Sequence, residues 1–115
     1  MKIVHRHVGG DLLEPGAADP FRFGGRGSLS QALSVAGFQD VEESDRTVPW
    51  TWRGTAEEVF EYAGAAAIPF RAMLDRVPAE KWPAVRAEIY AAINRYRVGD
   101  EIQFGAVVVL AAGNA

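Results

Sequence analysis

The chain contains no cysteine. That excludes disulfides, thiolate zinc sites and a cysteine nucleophile, and it fits a reducing, cytoplasmic setting. Long hydrophobic runs are also missing. The longest apolar stretch lies near Gly105–Gly113, far short of the roughly 20 residues that a membrane helix needs. The start, MKIVHRHVGG, lacks the apolar core of a signal peptide. No run of Lys or Arg occurs, and the formal net charge is −3 with a pI of about 5.3. Nucleic acid is therefore disfavoured as a partner, because phosphate binding draws on clustered positive charge.

What remains is the composition of a globular domain. With 115 residues, 49% hydrophobic and 23% charged, the chain is long enough for one modest core and too apolar for general disorder. Residues 1–27 read as an N-terminal segment, helix or strand over 1–8, followed by a loop dense in Gly and Pro with Phe21 and Phe23 as apolar anchors. Residues 28–115 read as a single domain with no internal repeat.

Ser28 is placed to cap a helix whose apolar stripe is Leu29, Ala32, Leu33 and Ala36. Gly37 stands where a left-handed residue ends a helix, and Phe38 follows as its hydrophobic contact. Residues 40–52 predict a long strand with Val48, Trp50 and Trp52 on one face. Val41 has the opposite parity, which a bulge near Ser44–Arg46 or a change of neighbours would reconcile. Pro49 cannot donate to a sheet ladder, so this strand is expected at an edge.

Thr55–Glu58 (TAEE) is a capping box. It opens a helix with Val59, Ala63, Ala66, Phe70 and Leu74 inward, broken or kinked at Pro69. A further helix buries Trp82, Val85, Ile89, Ala92, Ile93 and Tyr96, with Pro83 in its first turn. After the turn at Val98–Asp100, residues 101–112 form a last strand, apolar without alternation from Ala106. Such a run suits a strand covered on both faces with neighbours on both sides. Only one neighbour is evident, the strand at 40–52.

The helix ending in AGF, the QDVEES strand, the VPWTW segment, the capped helix with its internal IPF and the YRVGDEIQFGAVVVLAA ending together resemble the C-terminal part of class I S-adenosylmethionine-dependent methyltransferases of the quinone-biosynthesis-like group. The resemblance runs from about Phe21 onward. It implies an α/β fold, α+β for the isolated chain: a partial Rossmann-like sheet with two long antiparallel strands and three to four helices. The family's Gly-rich loop after the first strand and its acidic residue at the end of the second are missing, and the GGRG at 24–27 follows no apolar strand. No cofactor residue carries over, and S-adenosylmethionine is implied only for the full-length family. The chain is then expected to be a substrate-side fragment, inactive alone, whose complete enzyme would move a methyl group by in-line displacement. In the family, the last strand lies between the fifth and sixth, and the fifth has no counterpart here. The expected partner is a second copy joined through strand 101–112 by dimerisation or strand exchange, or a separately encoded N-terminal half.

By the same resemblance, ligands would sit beyond the far end of strand 40–52. Phe21, Phe23, Arg26, Trp50, Trp52, Phe70 and Phe104 are the candidate substrate-binding residues, with packing as the competing role for both tryptophans. His5 and His7 share a face only on a strand, and no neighbouring carboxylate completes a ligand set, so no metal site is expected. Glu42, Glu43 and Asp45 are clustered but read as solvated. Glu57, Glu58 and Glu61 suit a helix N-terminus, and GGRGS could hold an anion at a helix start. No catalytic set emerges. The rival readings are a stand-alone dimeric module that binds a small molecule, and an interaction domain whose strand completes another protein's sheet.

Overall fold

The computed structural model describes all residues, 1–115. The fold is mixed α+β, with α1 (Lys2–Val8), α2 (Ser28–Val35), β1 (Gln39–Arg53), α3 (Ala56–Ala66), α4 (Arg71–Asp75), α5 (Trp82–Asn94), β2 (Arg97–Val98) and β3 (Glu101–Asn114) in chain order. Short 3₁₀ turns at Ile68–Phe70 and Ala79–Lys81 lead into α4 and α5. The sheet has the order β1-β3-β2. β2 and β3 are antiparallel, with Arg97 opposite Ile102 and Val98 opposite Glu101, joined by the two-residue turn Gly99–Asp100.

The chain divides into two compact units, the first made of Met1–Asp19 and Thr51–Phe104, the second of Pro20–Trp50 and Gly105–Ala115. The first unit owns the core. Every fully buried hydrophobic residue of the chain belongs to it, with Met73, Val85 and Ile102 completely enclosed. Val4 from α1, Ala67, Met73, Leu74, Val77 and Val85 form one cluster, and Val8, Phe70, Trp82 and Ile89 pack against it. Residues 1–8, open to either reading from sequence, form a helix because Val4 and Val8 then fall on one side, against α4 and α5.

Pro69 ends α3, as its ring and missing N–H require; the chain turns through Ile68–Phe70 and resumes as α4. That break raises the count to five α-helices from the expected three to four. Val59 and Leu74 are buried and Phe70 is half-buried, whereas Ala63 and Ala66 face solvent. On α5, Val85 is buried and Trp82, Ile89, Ala92 and Ile93 are half-buried, whereas Tyr96 falls beyond the end of the helix and is 53% exposed. The displaced Tyr96 instead stacks on Phe104, with ring centroids 5.1 Å apart.

The second unit holds α2, most of β1 and most of β3, and contains no buried residue. Helix α2 ends as its sequence predicts: Gly37 has φ of 99°, its N–H bonds Ser34 O, and the Phe38 N–H bonds Leu33 O at 3.1 Å. Its start differs from expectation. The N-cap is Gly27, not Ser28, and the Ser28 hydroxyl donates to Gly25 O at 2.6 Å without reaching the helix amides. Within this unit Asn114 donates to the Asp40 carboxylate and Gly113 lies against Val41, whereas Gly105 lies against Thr47, so β1 and β3 run antiparallel. β3 is apolar as read, but it is not covered on both faces: Val107 is 68% exposed and Leu110 is 48% exposed.

Candidate functional site

Helix α2 begins at a glycine, which offers no side-chain oxygen to the first free amides of the helix. The missing acceptor comes from β1. Glu43 accepts from the Gly27 N–H at 2.6 Å and from the Ser30 N–H at 2.8 Å. These bonds, Gly27 first and Ser30 next, hold the Glu43 carboxyl below its ordinary value. The glycine-rich helix start thus does hold an anion, and that anion is a carboxylate of the same chain. Glu43, expected to be solvated, is the tie between helix and strand. The available signal was parity: Glu43 lies two residues from the half-buried Val41, on the same face of β1.

Around this tie lies a cavity of about 440 Å³ within the second unit, lined by Arg26, Ser30, Glu43, Asp45, Val107 and Val109 among others. One guanidinium, two carboxylates and two hydroxyls beside two valines can bind a polar group. Glu43 is ionised at neutral pH and already holds two amides, so it cannot serve as a general acid there. The Ser30 hydroxyl in the lining donates to Gly27 O at 3.0 Å, and Ser30 also bonds the Glu43 carboxylate.

The seven candidate substrate-binding residues divide between the units. Phe21, Phe23, Arg26 and Trp50 belong to the second. Of these, Arg26 lines the cavity, Phe21 is 70% exposed and Trp50 40% exposed, and the Phe23 ring lies under the Arg22 guanidinium at 4.8 Å. Phe21 therefore does not act as a buried anchor. Trp52, Phe70 and Phe104 belong to the first unit. Trp52 packs on Tyr62 with centroids 5.3 Å apart, Phe104 on Tyr96, and Phe70 on the core cluster.

Since residues 2–8 are helical, His5 and His7 do not share a strand face. His5 Nε2 is bonded to Gly10 O at 2.9 Å, and His7 Nε2 to Glu88 Oε1 at 2.9 Å. Glu88, distant in sequence, also receives Arg6 at 2.8 Å. No group of three or more His, Asp or Glu side chains is placed to hold a metal ion. No helix is long and apolar enough to cross a membrane.

Comparison with protein-family models, with curated proteins and with solved structures returned no match for this chain.

Proposed function

We propose that this chain is the substrate-side part of a Rossmann-like methyltransferase sheet, that it does not bind or turn over S-adenosylmethionine by itself, and that it closes its sheet by pairing β3 with β3 of a second copy. The observation that carries this reading is the outer edge of β3. β2 occupies that edge only at Glu101 and Ile102, and the Gln103 N–H reaches Tyr96 O at 2.9 Å. From Phe104 to Asn114 no further strand lies on that side.

Three features favour a second copy as the occupant. The stretch Phe104–Asn114 carries no charged residue, so no symmetric register sets like charges opposite one another. It also lacks the Lys, Pro or inward charge by which natural sheets blunt an edge. The second unit has no buried residue of its own, and Val35, Val48, Trp50, Val107 and Leu110 are all exposed, which a helix on a two-stranded ribbon does not sustain alone. The methyltransferase part of the reading rests on the sequence resemblance, on the order helix, strand, helices, strand, and on the lack of a Gly-rich strand–turn–helix.

Sedimentation and calorimetry test the two parts separately. The chain is expected to sediment as a dimer, and Val107→Lys, which sets a charge on the edge, is expected to shift it to monomer. A monomeric wild-type chain overturns the pairing. Titration with S-adenosylmethionine is expected to give no saturable heat; saturable binding overturns the absence of a cofactor site.

A further inference from the structure

The first unit contains a second cavity, of about 270 Å³, between α1, α3 and α5. Its lining side chains, Met1, Ile3, Val59, Phe60, Ile89 and Ile93 among them, are all apolar, and the charged group carried by a lining residue is the Met1 ammonium, whose pKa burial lowers. Water in an apolar hollow of this kind finds few hydrogen-bonding partners on its walls. Its floor is core: Val4, Val59 and Leu74 are all buried.

Gly64 supplies the independent observation. It lies in the interior of α3, where glycine weakens a helix relative to alanine. Nothing in its backbone demands glycine, because its φ is not in the left-handed region. Nothing in its packing demands it either: a Cβ built there meets no atom within 4 Å. Gly64 lines this cavity and the neighbouring hollow beside Arg71 and Arg86. A Cβ would therefore fit there sterically and stand in space that is now open.

The geometry points to an apolar ligand site in the first unit, kept open by Gly64, that takes the hydrocarbon part of a small molecule. The volume sets the size. It is below the 300–1,000 Å³ or so of pockets for drug-sized ligands and above the roughly 150 Å³ of a cavity that accepts one benzene. One ring or a chain of about eight carbons is the matching class, with any polar group left in the open mouth, because no side chain inside could pair with it. This inference does not rest on the methyltransferase reading or on the β3 edge, which involve other residues.

The test uses 1-octanol as probe on the full chain, followed by calorimetry and thermal unfolding. Wild-type protein is expected to bind about one equivalent saturably and to gain melting temperature with octanol concentration. 1,8-Octanediol, which must bury a hydroxyl to enter, is expected to bind at least tenfold more weakly. Gly64→Leu and Ala92→Leu fill the space from α3 and from α5. Both are expected to melt no lower than wild type without octanol and to lose the octanol response. Two results overturn the site: no saturable octanol binding by wild type, including a cavity already filled by a second chain, or undiminished binding in Ala92→Leu.

Discussion

Glu43 shows how much one side chain can decide in this protein. Its carboxylate is the only side chain seen accepting from the first amides of α2, and those bonds lower its pKa. A carboxyl with a lowered folded pKa binds fewer protons folded than unfolded, so its stabilisation is present above the ordinary value of 4.5 and is lost as pH falls through the lower folded value. Glu101, lowered first by its bond from Arg53 and then by Gln103, adds in the same direction. Thermal melts from pH 7 downward are expected to show stability falling below about pH 4.5, and the fall is expected to be shallower in Glu43→Ala, which also melts lower at pH 7. At Gly54, φ is 152° and an added Cβ would strike the Glu58 carboxylate, which bonds the Thr55 N–H at 2.9 Å. Gly54→Ala is expected to lose about 1–3 kcal/mol in chemical denaturation, from backbone strain and the displaced carboxylate.

At the scale of elements, the termini of the helices were the most legible part of the sequence. The α2 ending and the α3 capping box depend on neighbours one to five positions apart, and the capping box forms with Glu58 N–H to Thr55 Oγ1 at 3.2 Å. Thr55→Ala is expected to cost about 1 kcal/mol, read as a shift in denaturant midpoint at constant slope. The Pro69 break was equally local. What stayed hidden depended on distant partners. Ser28 looked like a cap because it precedes an apolar stripe, but the acceptor at α2 came from a strand 13 residues on. β2 is two residues long, too short to leave a periodicity. Ala63 and Ala66 matched the apolar pattern of α3 but stay exposed: Ala63 borders the open hollow between α1, α3 and α5, and the ring contacts with α5 are made by Phe60, to Trp82 and Tyr90. Met73, fully enclosed on the short α4, went unsingled because a five-residue helix shows no full stripe. Met73→Ala is expected to destabilise by about 2–5 kcal/mol, the largest single loss among these variants.

For the whole molecule, burial is unevenly shared. The first unit encloses every fully buried side chain, and the second exposes most of its apolar ones. The sequence already carried half of this contrast, because a strand reading GAVVVLAA is written for cover that no other segment of the chain supplies. It could not reveal that β2 takes the first two positions of the open edge, nor that α2 leaves its Val35 83% exposed. The candidate aromatic residues were chosen on the premise that ligands sit beyond the far end of strand 40–52. Their division between two units follows from β1 and β3 contributing residues to both. Amide hydrogen exchange along β3, measured across a range of protein concentrations, tests the open edge most directly. If a second copy completes the sheet, protection at Phe104–Asn114 on the side away from β1 rises with concentration while the core amides around Val85 stay constant. Protection of those outer amides that is already complete and independent of concentration would contradict the account.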